Sequence, residues 1–133
     1  MTNPSCKIYV SLIIRGRIFF PDEITKEIKV IPTKTYIIGD KKRKNIDVYY
    51  DQNGWHYSKE SFHDIDSVDD VVMRLIDDVK HAKNQLKLMS SEMDIALSIA
   101  VYRNTSWPVI RLSNSALLFL GEIGAIVDFD IYS

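Results

Sequence analysis

The chain has 133 residues, 46% of them hydrophobic and 26% charged, and its formal net charge is -1. This length predicts a single domain over residues 1–133, with a core that needs no disulfide or metal ion. The near-neutral balance argues against a general nucleic-acid-binding protein. No stretch approaches the ~18 consecutive apolar residues of a membrane span. No signal-peptide pattern is visible and the single cysteine, Cys6, cannot form an internal disulfide, so we expect a cytoplasmic protein that binds no membrane.

The first third of the chain predicts a strand, a short helix and a second strand. Apolar residues alternate with polar ones over residues 7–17, which is the two-residue period of a strand. Pro21-Asp22-Glu23 is typical of a first helical turn, and Pro32 requires that this helix be short. Tyr36-Ile37-Ile38 predicts a short strand closed by Gly39-Asp40.

A basic run and a turn signal follow. The run Lys41–Lys44 is best placed on an exposed, solubilising loop. Asn53-Gly54 is a strong hairpin signal and predicts that Val48-Tyr49-Tyr50 pairs with Trp55-His56-Tyr57.

The second half predicts a long helix that is followed by strands and one further helix. Ser67 and Asp70 resemble a capping box, and the apolar residues beyond them repeat with helical spacing over residues 68–89. Alternation predicts strands over residues 93–103, 109–112 and 126–132. Between the last two, Ser113 or Ser115 caps a helix whose buried face carries Leu117, Leu120 and Ile123, with Gly124 as C-cap.

This order of elements predicts an α+β fold. We expect a mostly antiparallel sheet of about five strands with helices packed on one face. From Trp55 onward the predicted order is β-α-β-β-α-β, the ferredoxin-like order, over the C-terminal two thirds of the chain.

Several short motifs, in this order and spacing, resemble the bacterial domain-of-unknown-function family 4279. They are Arg15-Gly16, Pro21-Asp22-Glu23-Ile24-Thr25, Pro32-Thr33, Gly39-Asp40, Gly54-Trp55, and Gly124 with Asp128-Phe129-Asp130-Ile131-Tyr132. One departure is Lys29, where members of the family often carry a glycine that closes the first helix. The resemblance implies no activity and no catalytic residues. Similar small α+β domains occur beside bacterial toxin genes as immunity proteins, which is an association and not a derivation.

The charges of the chain are strongly segregated. Residues 1–50 carry ten Lys/Arg and five Asp/Glu, whereas residues 51–133 carry seven Lys/Arg and thirteen Asp/Glu. Between Glu60 and Asp78 the only basic residue is Arg74. The acidic block, as we call its seven carboxylates, predicts a docking surface for a basic protein partner, or a solvated helix face whose first-turn acids complement the helix dipole. Its members are Glu60, Asp64, Asp66, Asp69, Asp70, Asp77 and Asp78.

Asp128 and Asp130 form a second candidate surface. They are two residues apart on a predicted strand and therefore point to one face. We expect that face to be free of helices and to be polar and aromatic, which suits protein contact or a solvated sheet face. It would also hold Tyr9, Ser11, Arg15, Ser98, Tyr102 and Tyr132.

No metal or cofactor is expected. His56, His63 and His81 lack metal-ligand spacing, and the five glycines form no phosphate-binding pattern.

These patterns favour a non-enzymatic immunity protein that neutralises a basic bacterial toxin domain by covering its active site, with nucleic acid not expected as partner. A nuclease of a contact-dependent inhibition system is one such toxin. The alternatives are a small-ligand or nucleic-acid-binding module using the sheet face and Lys41–Lys44, an enzyme using Asp128, Asp130 and a histidine, and a homodimer joined through the sheet face or an edge strand.

Overall fold

A five-stranded sheet is built around its middle strand, β1 (Cys6–Gly16). The computed structural model describes residues 4–63 and 66–133. Along β1, Ile8, Val10, Leu12 and Ile14 are almost fully buried. The residues between them point to the other face, as the two-residue period of a strand requires.

The remaining strands of this sheet are β2 (Lys34–Tyr36), β5 (Asn53–Glu60), β6 (Asp94–Arg103) and β7 (Ile126–Tyr132). Their order is β2-β5-β1-β6-β7, and every neighbouring pair is antiparallel except β6 and β7, which are parallel. The predicted α+β class with a mostly antiparallel sheet of about five strands is therefore confirmed.

The helices are α1 (Pro21–Ile28), α2 (Val68–Val79), α3 (Lys83–Met89) and α4 (Asn114–Glu122). Their buried side chains join those of β1 and β6 in one core, which covers one face of the sheet. None of the helices in the described ranges is long and apolar enough to cross a membrane.

The helix ends follow local sequence signals closely. Ser67 accepts a hydrogen bond from the Asp70 amide and Asp70 accepts one from the Ser67 amide, so the predicted capping box is confirmed. Lys29 closes α1 in the left-handed conformation at φ 60°, where a glycine would meet no steric cost. The predicted helix over residues 68–89 is interrupted, because a 3₁₀ turn at Lys80–Ala82 separates α2 from α3.

The predicted hairpin across Asn53-Gly54 is wrong. Strand β4 (Ile46–Tyr49) pairs with β3 (Lys41–Arg43) in a separate two-stranded sheet, and Asn53-Gly54 begins β5. The Asn53 side chain accepts a hydrogen bond from the Ile38 amide and donates one to the Phe19 carbonyl. These long-range hydrogen bonds hold Asn53 in β5 and not in a hairpin turn. The basic run is exposed as predicted, but most of it is strand rather than loop.

The predicted strand over residues 109–112 is also wrong, and the ferredoxin-like order is therefore not confirmed. This segment is held against the start of α2: the Val109 carbonyl accepts from the Val68 amide, and the Ser113 amide donates to Asp69. From β5 onward the order is β5, α2, α3, β6, α4, β7.

In α4, Leu117 is exposed, whereas Ala116, Phe119 and Leu120 are buried.

Candidate functional site

The open sheet face is the face of the main sheet opposite the helices. It consists of the residues of the five strands whose side chains point away from the helices. The strand register places its residues in rows that cross the sheet. One row is Ser58, Ser11, Ser98 and Asp128; the next is Glu60, Tyr9, Ala100 and Asp130. The predicted positions of Tyr9, Ser11, Arg15, Ser98, Tyr102 and Tyr132 on one face thus agree with the register.

Small side chains occupy the middle of the open sheet face. Ser11 lies between Ser58 and Ser98 on the neighbouring strands, and its hydroxyl lies 2.7 Å from that of Ser58. Ala96 and Ala100 flank this row on β6. These side chains are shorter than Tyr9 and Ile13 in the adjacent rows of β1, and this row of small residues is named the trough.

Aromatic residues stand at one end of the trough. Tyr102 and Tyr132 stack with ring centroids 4.8 Å apart. Tyr102 is 44% exposed and Tyr132 is 48% exposed. Lys7, Tyr9 and Tyr102 line a depression of about 410 Å³ beside them. Exposed, mutually stacked tyrosines present apolar area and hydroxyl groups together, a combination enriched in protein interfaces.

A second aromatic cluster lies at the other end, where β2 meets β5. Tyr36 stacks on Tyr50 with centroids 3.6 Å apart, and its hydroxyl lies 3.0 Å from His56 Nε2. The Lys34 ammonium lies 5.7 Å and 5.8 Å from the two tyrosine ring centroids. The Tyr36 ring rests directly over Gly54, where a β-carbon would collide with it, so the glycine makes this packing possible.

This cluster keeps His56 neutral. Burial and, to a smaller extent, the positive charges of Lys34 and Arg15 lower the pKa of His56 to about 4. At neutral pH the imidazole is therefore an uncharged hydrogen-bonding partner of Tyr36.

We expect acid to weaken the fold through His56. The unfolded chain binds a proton at the ordinary pKa of 6.5 and the folded chain only near 4, so stability falls as pH decreases through that interval. His56→Gln keeps a polar partner for Tyr36 and should flatten this part of the pH profile. Thermal unfolding midpoints of both proteins between pH 7 and pH 4 test the prediction. An imidazole that titrates near its ordinary pKa in an NMR titration would contradict it.

Asp128 and Asp130 lie on the open sheet face at its edge, on β7. Asp128 is opposite Ser98 and Asp130 is opposite Ala100. Both are exposed, and within residues 4–63 and 66–133 neither makes an ion pair. Their carboxylates are therefore available to an external cation.

The acidic block, in contrast, is largely engaged within the chain. Asp66 is buried and accepts bonds from the Phe62 and His63 amides, at 2.8 and 2.9 Å, and from Arg74, at 2.9 Å. Burial alone would raise the pKa of Asp66, but these hydrogen bonds outweigh it and hold the pKa below its ordinary value. Asp66 therefore shapes the loop before α2.

The other members of the acidic block that the structure describes also have partners. Asp69 and Asp70 hold Ser113 and Ser67 at helix N-termini. Three ion pairs join the rest to lysines: Glu60 to Lys7 at 3.0 Å, Asp77 to Lys80 at 3.3 Å and Asp78 to Lys59 at 2.8 Å. Asp78 also accepts from the Tyr57 hydroxyl at 2.6 Å. Asp64 lies outside the described residues.

The geometry separates the predicted carboxylates Asp128 and Asp130 from His56 and places His81 among the helices. His56 lies on β5, three strands from Asp128 on β7, or about 14 Å at ordinary strand spacing. The His81 ring nitrogen lies 2.7 Å from the Ile28 carbonyl among the helices. In the part of the chain that the structure describes, no three His, Cys, Asp or Glu side chains form a metal-binding group.

The cluster of Tyr36, Tyr50 and His56 was not predicted from the sequence. Its one local signal is the density of tyrosine and lysine over residues 34–57. The cluster depends on the pairing of β2 with β5, which joins positions twenty residues apart and has no local signature.

Comparison with known proteins identifies a family. No curated protein and no solved structure matches the chain. The family described as "Domain of unknown function (DUF4279)" matches residues 6–133, from the first residue of β1 to the last residue of the chain. The chain belongs to the DUF4279 family.

Proposed function

We propose that the chain is a non-enzymatic immunity protein that binds a bacterial toxin domain and neutralises it by covering its active site. The observation that carries the proposal is the open sheet face. Stacked tyrosines and two carboxylates without ion pairs surround a trough of small residues there, and no helix within the described ranges covers it. Interfaces between proteins favour such aromatic surfaces.

The contact surface that we propose centres on Asp128 and Asp130. A carboxylate that already accepts hydrogen bonds from its own chain would have to break them before binding a partner, at a cost in free energy. Asp66, Asp69 and Asp70 are in that position. They contribute to a partner's attraction mainly through the negative field of their half of the chain.

A basic toxin domain fits this surface. Its lysines and arginines would meet Asp128 and Asp130, while its apolar groups would pack on Tyr102 and Tyr132. Opposite charges would speed the encounter and the aromatic contacts would slow dissociation. A contact-dependent inhibition nuclease has such a basic cleft, because it must bind a phosphate backbone.

Co-expression with the product of the adjacent upstream reading frame tests the proposal. We expect a stoichiometric complex and restored growth of cells that make that product. The double variant Asp128→Lys/Asp130→Lys should weaken the complex by at least ~10-fold at low salt. The matched control Asp51→Lys/Glu92→Lys makes the same change of net charge at exposed positions outside the open sheet face.

The variants also separate the two candidate surfaces. If Asp69→Lys/Asp70→Lys weakens binding in a protein shown to be folded, and the Asp128/Asp130 variant does not, the acidic block is the contact surface. Absence of both complex and toxicity contradicts the immunity function itself.

A nucleic-acid-binding module is the second candidate, and one observation favours it. The Lys42 ammonium lies 5.4 Å from the ring centroid of Tyr50, so lysines and stacked tyrosines lie together beside the basic strand β3. Single-stranded nucleic acid is bound by such combinations. Binding of oligonucleotides that falls steeply with salt would favour this candidate.

A further inference from the structure

Strand β7 is an edge strand of the main sheet. It has β6 on one side and, in the described part of the chain, no strand on the other. Its register with β6 runs without a shift from Ile126 to Tyr132. Edges are commonly blunted by prolines, bulges, shortness or charged side chains, and over its seven residues β7 has no proline and no bulge but carries the two charges of Asp128 and Asp130. Its outer backbone groups are therefore open to pairing.

The two faces of β7 differ in chemistry. Asp128 and Asp130 point to the open sheet face. Phe129 and Ile131 point to the helix side, yet Phe129 is 44% exposed and Ile131 is 48% exposed, so the helix layer covers them only in part. An added strand would meet two negative charges on one face and two apolar side chains on the other.

A second copy of this chain is a poor occupant. Antiparallel pairing of β7 with itself in the register of full overlap sets residue 128 opposite residue 130. Each Asp128 would then face Asp130 of the second copy, and like charges directly opposite one another are destabilising. The charge pattern of the edge thus opposes self-pairing while leaving its hydrogen-bonding groups open.

The opposite edge of the sheet does not offer the same site. Strand β2 has only three residues, and its Tyr36 is covered by Tyr50 from the neighbouring loop. Of the two edges, β7 has the length that strand addition requires.

We propose that the β7 edge binds an extended strand of the partner protein in which lysine or arginine alternates with apolar residues. The basic side chains pair with Asp128 and Asp130 on the open sheet face, and the apolar ones pack on Phe129 and Ile131. Main-chain hydrogen bonds to β7 supply the docking geometry. This inference deepens the proposed function and rests on it for the identity of the partner.

A synthetic probe tests the edge without the natural partner. The probe is a capped seven-residue peptide alternating lysine and valine, and its control replaces lysine with glutamate. NMR spectra of the full chain would follow the amides of β7. We expect the lysine peptide to shift these resonances and to slow their hydrogen exchange, and the glutamate peptide to do neither.

Charge-removing variants sharpen the test. Asp128→Asn/Asp130→Asn should weaken binding of the lysine peptide by about 2- to 30-fold, the loss of two cross-strand pairs. Asp51→Asn/Glu92→Asn, which removes two exposed charges away from β7, should leave binding unchanged. Equal binding of both peptides, or slowed exchange anywhere except β7, overturns the inference. A protein mass that doubles with concentration and is accompanied by protection of β7 amides also overturns it, because the occupant is then a second copy.

The outcomes distinguish this inference from the proposed function. If the toxin complex forms but the β7 amides exchange at the rate of the free protein, the edge inference fails and the immunity function stands. If the lysine peptide pairs with β7 but no toxin partner exists, the binding mode stands and the immunity function fails.

Discussion

Replacing Trp55 with alanine is expected to lower the free energy of unfolding by about 3–5 kcal/mol. Trp55 is fully buried on β5 at the helix side of the sheet. Its Nε1 donates a hydrogen bond to Thr25 Oγ1 of α1 at 3.0 Å, and its ring lies 6.4 Å from that of Tyr57. The substitution leaves a large cavity between the sheet and α1 and an unpaired threonine hydroxyl.

Urea unfolding followed by circular dichroism measures this loss. Trp107→Ala is the matched control, since Trp107 is 43% exposed and contacts the Arg103 guanidinium, 5.5 Å from its ring centroid. We expect the control to lose no more than about 1 kcal/mol. Trp55→Phe retains most of the ring volume and should lie between the two. Equal losses for Trp55→Ala and Trp107→Ala would show that Trp55 does not anchor α1.

The elements that could be predicted from the sequence are those with a local physical cause. The two-residue alternation predicts β1 because every second side chain is buried. Ser67 and Asp70 predict the start of α2, because their side chains bond the backbone groups that a helix leaves unpaired. Gly124 adopts φ 71°, which a side chain would resist, at the end of α4.

The elements that could not be predicted depend on residues distant in sequence. Asn53-Gly54 has the composition of a turn, yet these residues belong to β5, where they pair with β1 and β2. Residues 109–112 have a strand-like pattern, yet α2 holds them through Val68 and Asp69. In both places tertiary hydrogen bonds override a local preference.

In the candidate site, too, some features could be predicted from a local sequence pattern and others could not. Alternation alone places Tyr9, Ser11 and Arg15 on one face of β1, and it places Asp128 and Asp130 together on β7. The engagement of the acidic block could not be predicted, because charge density in a sequence does not reveal hydrogen-bond partners. Asp66 shows this most clearly, since its donors come from the preceding loop and from Arg74 on α2.

Replacing Asp66 with alanine is therefore expected to lower the free energy of unfolding by about 2–4 kcal/mol. The change leaves two backbone amides without their acceptor and removes the partner of the Arg74 guanidinium, whose Nε already has no hydrogen bond in the described part of the chain. The Phe62 ring centroid lies 4.9 Å from Cζ of the same guanidinium, so we expect the Phe62 side chain to become less ordered as well. Urea unfolding measures the loss.

Asp77→Asn is the control for Asp66→Ala, because Asp77 is another aspartate of the acidic block. Asp77 is exposed, and within residues 4–63 and 66–133 its one ion pair is with Lys80 one turn away, so we expect a change of at most about 0.5 kcal/mol. Similar losses at Asp66 and Asp77 would mean that the Asp66 hydrogen bonds do not stabilise the fold.

The pH dependence of the difference gives the Asp66 prediction a second, independent test. Because the pKa of Asp66 is lowered in the folded chain, its contribution is fully present above the unfolded pKa, near the ordinary value of 3.8, and is lost as pH falls through the folded pKa. The difference in stability between the protein and Asp66→Asn should therefore be constant from pH 7 to pH 5 and should shrink below about pH 4. A difference that persists unchanged in acid would assign the effect of Asp66 to packing. A difference that shrinks would show that its ionised carboxylate organises the loop before α2, which makes this part of the acidic block structural.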